Sequence, residues 1–231
     1  MTELNPSQDL ADDISTIDSL RELAIDHGFA YRDADSSLVD RWGAPPFSGF
    51  GHRRALDVVT TEREGFPVVA FRFMIGELAR TAGAESSFGG GLKLSLPEIV
   101  DGYLVVAAAL PSPLPRFALA PQEGAVDEVP YGHGFESEDG DLAERYDVYA
   151  ADPETAGAVL HLDAVAKIRE HRTVDWRVEG RDVLVVDPLG DGERSVEDIL
   201  ATVDAVVTIA KGVSSDAYAQ FKAPSAYPPP A

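Results

Sequence analysis

Residues 195–212 read SVEDILATVDAVVTIAKG. Val196, Ile199, Leu200, Val203, Val206, Val207 and Ala210 recur at i, i+3, i+4 and i+7, the spacing that lays one apolar stripe along an α-helix. Ser195 and Asp198 resemble a capping box, with Asp where Glu is usual, and Gly212 is a natural stop. A stripe this wide has to be buried against something, and the rest of the chain supplies strands for it to cover.

Ala55 to Thr61 and Phe66 to Ile75 are β-branched and aromatic, separated by Glu62-Arg63-Glu64-Gly65. That spacing predicts a hairpin with Gly65 at positive φ. Val69, Phe71, Phe73 and Ile75 share one face of the second strand, and Arg72 falls on the other, half-exposed. Gly102 to Leu110 and Arg116 to Ala120 read as two more strands, with Pro111 to Pro115 as a rigid turn between them. Tyr146, Val148 and Ala150 alternate with Arg145, Asp147 and Tyr149, a half-buried strand. Thr173 to Val178 and Asp182 to Val186 read as a second hairpin around Glu179-Gly180-Arg181.

Two further helices are expected. Ser19 to Glu22 fits a capping box, Leu20, Leu23 and Ala24 share a face that Ile14 and Ile17 extend, and Gly28 ends the helix. Asp152-Pro153, an N-cap followed by Pro at the first helical position, opens a stretch that runs to about His171 with a break near His161. Trp42 to Gly51 (WGAPPFSGFG), Gly76 to Leu96 and Pro121 to Leu142 are loops by composition. The expected fold class is α+β: a mostly antiparallel sheet built from hairpins, covered by a long C-terminal helix and a mid-chain helical stretch. The expected organisation is a flexible lead-in over 1–13, a single α+β domain over 14–213, and a disordered Pro-rich tail over 214–231.

Composition narrows the function classes. The 231 residues hold 19 Lys+Arg and 40 Asp+Glu, a net charge of 19 − 40 = −21. Such a chain repels phosphate backbones and anionic lipid, so nucleic-acid binding is excluded as its main role. With 0 cysteines there is no disulfide, thiolate nucleophile or Cys-built metal site. The longest apolar run, Tyr103 to Leu110, is far short of the roughly 20 residues of a spanning helix, and Met1 to Asp13 lack the features of a secretion signal. The expected compartment is the cytoplasm.

Catalytic patterns are missing. Gly89-Gly90-Gly91 fits neither the phosphate loop nor the dinucleotide fingerprint, and Ser86, Ser87 and Ser95 lack the nucleophile-elbow context. His27, His52, His133, His161 and His171 show no zinc-helix spacing. Glu136, Glu138, Asp139 and Asp141 do not match a calcium loop and read as a solvated loop, and Asp187, Asp191 and Glu193 as turn and cap residues. His133 beside the first acid cluster is the one place where an acid/base pair assembles on paper. His52-Arg53-Arg54 concentrates positive charge after the Gly49/Gly51 loop, and Arg53 and Arg54 are the candidate anion-binding residues.

Several short stretches resemble an uncharacterised family of actinobacterial hypothetical proteins. They are Leu38 to Trp42, Pro46-Phe47, Gly51 to Val59, Gly65 to Phe73, Leu110 to Arg116, Glu136 to Glu138, Tyr146 to Val148, Asp152-Pro153 with Ala156, Leu160-His161, and Trp176 to Gly180. The resemblance covers roughly residues 38 to 187 and implies a shared fold; it brings no catalytic residues with it. Similar proteins often carry membrane helices near the N-terminus, and none is readable here. The reading is a binding or interaction domain, acting on an unknown protein partner, on itself, or on a small ligand between sheet and helix, with no cofactor, no metal and no nucleic acid. The alternative is an enzyme built around His133 and nearby carboxylates.

Overall fold

The computed structural model describes residues 19–49, 51–77, 98–122, 133–135, 140–160, 166, 168, 175–189, 194–213 and 215–221. In order these form helix α1 (19–27), β1 (Ala30–Ala34), a single 3-10 turn (Ser36–Leu38), β2 (His52–Arg63), β3 (Phe66–Glu77) and β4 (Glu98–Pro121). There follow β5 (His133–Phe135), α2 (Gly140–Ala143), β6 (Tyr146–Ala150), α3 (Pro153–Val159), β7 (Asp175–Pro188), α4 (Val196–Gly212) and α5 (Ser215–Gln220). The class is α+β, and the seven strands make one antiparallel sheet in the order β1-β2-β3-β4-β6-β5, with β7 paired to β4.

The β2–β3 hairpin forms at the expected place. Its turn is two residues, Glu64 at φ 52° and Gly65 at φ 84°. Positive φ at both positions is the type I′ geometry, whose twist matches the flanking strands. Across it Lys211 of α4 meets Glu64, and Arg63 holds Asp204 at 3.0 Å, tying the hairpin to the helix.

The two turns expected at Pro111–Pro115 and at Gly180 do not reverse the chain. β4 is one strand of 24 residues and β7 one of 14, and they pair from Tyr103↔Pro188 to Leu119↔Trp176. The ladder is interrupted where four residues of β4, Leu110 to Pro113, face only Arg181 of β7. Pro111 and Pro113 have no N–H to give, so the ladder cannot continue through them. Arg181 Nη2 instead donates to the Pro111 carbonyl at 2.8 Å. Gly180, at φ 61°, absorbs the mismatch on β7. The result is a wide bulge that bends both strands together and switches which residues face which side.

That switch explains the core. Before the bulge Leu104, Val106 and Ala108 of β4 face α4, and after it Phe117 and Leu119 do. On β7 the same face carries Trp176 and Val178, then Val183 and Val185. The α4 stripe of Ile199, Val203, Val206, Val207 and Ala210 is buried on this face, each large side chain stabilising by about 1.5–3 kcal/mol. The Ser195–Asp198 capping box is complete in both directions. Leu20, Leu23 and Ala24 of α1 join the same cluster, and Gly28 at φ 67° ends that helix. Asp152 caps α3 by accepting from the Thr155 N–H at 2.7 Å.

Three further expectations change. Ser215–Gln220, read as part of an unfolded tail, is helical, and Ala217 is only 1% exposed within the core. The Ala at 217 and Tyr at 218 supply an apolar edge that the surrounding Pro and Ser residues mask in composition. The Pro121–Leu142 loop contains β5 and α2, with Leu142 buried. Arg72 is buried at 5% exposure, not half-exposed, for a reason given below. Ile14 and Ile17, the 1–13 lead-in, residues 78–97 and residues 222–231 lie outside the described residues. Among the described residues, no helix is long and apolar enough to cross a membrane.

Candidate functional site

The face of the sheet opposite α4 is filled by the segment around residues 38–47. Leu38, Trp42 and Phe47 pack on Val69, Phe71, Phe73, Val105, Ala107, Leu184 and Val186. Trp42 stacks on Phe71 at 6.0 Å between centroids, and Phe47 meets Phe73 edge-on at 4.9 Å. Such aromatic pairs add to area burial.

Buried charge pins this segment. Asp182 accepts from Arg41 Nε at 3.0 Å, Arg41 Nη2 at 2.8 Å and Trp42 Nε1 at 3.0 Å. Glu179 accepts from the Gly43 N–H at 3.1 Å. Arg177 donates to the Pro45 carbonyl and to Asp175. Arg53 donates to the Phe47 carbonyl, and to Asp40 at 2.9 Å. Three acidic or basic side chains of β7 therefore hold three consecutive stretches of backbone or side chain between 41 and 45. Burial pushes the Asp175 carboxyl up, against the opposing pull of Arg177. Burial also raises the Tyr103 phenol, helped by the Asp101 and Asp175 carboxylates.

A second polar centre lies at the β2 bulge. The register shifts between Leu56 and Val59, and Asp57 takes φ 51° there. Its carboxylate accepts from Arg72 Nε at 2.9 Å, Arg72 Nη2 at 2.5 Å and the Tyr31 hydroxyl at 2.6 Å. Arg21 lies over the Tyr31 ring at 5.3 Å. Along the same cross-strand row Arg72 pairs with Leu104, and Leu104 with Asp187. Asp187 is forked by Arg194, Nε at 2.8 Å and Nη2 at 3.2 Å, just before the start of α4. The buried carboxylates of Asp57, Asp182 and Asp187 are thus each matched to a guanidinium group, which is what their burial demands.

Arg53 and Arg54, the candidate anion residues, sit at adjacent positions of β2, so their side chains leave on opposite faces. Arg53 is committed to Asp40 and Phe47, and Arg54 is exposed. His133 is in β5 opposite Ala150. Glu136, Glu138 and Asp139 lie outside the described residues, as do His161 and His171, while Asp141 opens α2. Among the described residues, no group of three His, Asp or Glu could hold a metal ion. The sequence expectation places Arg72 half-exposed and does not pair it with Asp57. The signal was present: one acid in ALDVVTT and one base in FPVVAFRFMI, each isolated in an apolar strand of a single hairpin.

No family model matches the chain, and no curated protein does. A solved structure is similar: the crystal structure of the mycobacterial trehalose monomycolate transport factor A, TtfA, with a TM-score of 0.60 and 16% identity, over 85% of this chain and 93% of that one. At that identity the likeness is one of fold, and its mycobacterial source agrees with the resemblance to an actinobacterial family.

Proposed function

We propose that this chain is a non-catalytic, cytoplasmic binding domain that recognises a protein partner, or a second copy of itself, through its surface. What carries the reading is the use already made of the buried charges. Asp57, Arg72, Arg177, Glu179, Asp182 and Asp187 each hold a partner inside the fold. A group so committed gives shape, whereas acid/base chemistry needs one whose pairing changes as substrate binds. The net charge of −21 favours a basic partner and fast, salt-sensitive association. TtfA is a transport factor by its name, and the shared fold is compatible with a binding role for this chain.

Capture of a partner on the immobilised chain, then titration with the purified partner at low and physiological salt, tests this. A saturable complex that weakens with salt supports the reading. Turnover of a substrate that disappears in a folded His133→Ala variant overturns it in favour of the enzyme. An anion held by the Arg53-Arg54 pair is a separate proposal that narrows to the exposed Arg54, because Arg53 leaves on the other face and is paired with Asp40. Phosphate titration of an Arg54→Ala variant decides it: unchanged weak affinity removes the site.

A further inference from the structure

β1 stands at one end of the sheet and, among the described residues, pairs with β2 alone. The Asp35 N–H donates to the Ala55 carbonyl at 3.1 Å, so Asp33 and Tyr31, two and four residues back, also turn their N–H and C=O groups towards β2. Those of Ala30, Arg32 and Ala34 point away from the sheet, and among the described residues nothing pairs with them. Such an open ladder is a template for another strand. Tyr31 lies opposite Val59 on the α1 side of the sheet, and Asp33 shares that side. There Arg21 of α1 stands over the Tyr31 ring at 5.3 Å and lies 3.7 Å from Asp33. Both charges are open to solvent, Arg21 at 54% and Asp33 at 89% exposure. Ile25, one turn after Arg21 on the same helix ridge, is 72% exposed.

The charge pattern names the occupant. Edge strands are commonly blocked by lysine or proline, and AYRDA has neither. An edge of one sign would suit a partner of the other sign, whereas this one carries both and is complementary to itself. A two-fold axis through Arg32 sets the outward groups of Arg32 against those of the second copy's Arg32, and those of Ala30 against the second copy's Ala34. The side chains at the two outer pairs are small. Tyr31 then faces the second copy's Asp33, within the region that Arg21 already occupies. The two Arg32 side chains meet on the other face, each paired with its own Asp35 at 3.2 Å. Both copies of α1 lie on the same side of the joined sheet, with Ile25 on the flank that Arg21 shares. We infer that β1 is a homodimer edge, two copies joined antiparallel at Arg32 with Arg21 of each facing Asp33 of the other.

This rests on the binding reading proposed above and gives it a surface. The test is sedimentation equilibrium of the full chain at about 0.15 M salt, where a screening length of about 8 Å damps the repulsion between two chains of net charge −21. The expected result is a monomer–dimer equilibrium. Arg21→Asp and Asp33→Arg should each weaken it at least about tenfold, because each sets like charges across the axis. Mixing the two variants should restore the dimer, because the mixture again sets opposite charges across the axis; an attraction confined to one chain could not be restored in this way. Amide hydrogen exchange of the unaltered chain is the second readout: the Arg32 and Ala34 N–H groups should exchange more slowly as concentration rises. A chain that stays monomeric up to about 1 mM overturns the edge. So do single variants that dimerise as the wild type does, a mixture that stays monomeric, or Arg32 and Ala34 amides indifferent to concentration. A monomeric chain that still captures a partner overturns the edge alone and leaves the binding reading standing.

Discussion

Trp42 and Asp182 are 140 positions apart, and the Trp42 indole N–H donates to the Asp182 carboxylate at 3.0 Å in the interior. That bond joins an irregular segment to the middle of the sheet's longest ladder. Arg41 completes the site but keeps its guanidinium more than one-third exposed. Asp182→Ala leaves the indole unpaired and is expected to cost about 2–3 kcal/mol in urea titration. Trp42→Phe, which removes one donor and keeps an aromatic, should cost less. Equal midpoints for Asp182→Ala and wild type would show that the segment is held by packing alone.

Asp57 and Arg72 should behave as a coupled pair. Removing the acid by Asp57→Ala takes the counter-charge from a buried guanidinium and is expected to cost about 3–5 kcal/mol. Arg72→Met should cost less, because Asp57 keeps the Tyr31 hydroxyl. The double variant should lose clearly less than the sum, and additivity within about 0.5 kcal/mol would show that the two do not interact.

Asp175 contributes to the pH profile with a definite sign. Burial raises its carboxyl above the ordinary 3.8, so the folded protein binds the proton more tightly than the unfolded chain. Its contribution is therefore most favourable below 3.8 and is lost as pH rises through the raised folded value. Asp175→Asn should flatten this part of the stability profile above pH 4 and stabilise the protein at neutral pH relative to its own acid limb. A profile that keeps the wild-type slope in the variant assigns that slope to another group.

Truncation after Val213 is expected to destabilise the protein by several kcal/mol. It removes buried Ala217 and the partly buried Tyr218 and Phe221 from the core. Truncation after Phe221 should leave the midpoint nearer that of the wild type. Matching midpoints for the two truncations would mean that α5 adds nothing.

The α4 stripe, its capping box and the β2–β3 turn were legible because each depends on neighbours in sequence. Ile199, Val203 and Val207 lie on the sheet side as their spacing requires. Leu200, given equal weight by periodicity, sits at the margin and is only partly buried. The β4–β7 bend was not legible. Pro111, Pro113 and Gly180 announce a break in the ladder, but whether the chain reverses or merely bulges depends on what pairs across it. Arg72 was misplaced for the same reason: its partner Asp57 is reached only through a bulge that shifts the register. The polar anchors on β7, Arg177, Glu179 and Asp182, lie in a stretch whose own pattern reads only as hairpin, because their partners at 41–45 are more than 130 positions away.

The segment around Trp42 and Phe47, a loop by composition, is the core of the sheet's second face. Phe47 is 1% exposed against Phe73 and Trp42. The urea midpoint of Phe47→Ala measures this most directly. A buried Phe predicts a loss of about 3–5 kcal/mol with cooperative unfolding retained. A shift within about 0.5 kcal/mol of wild type, as for a surface loop, would contradict it.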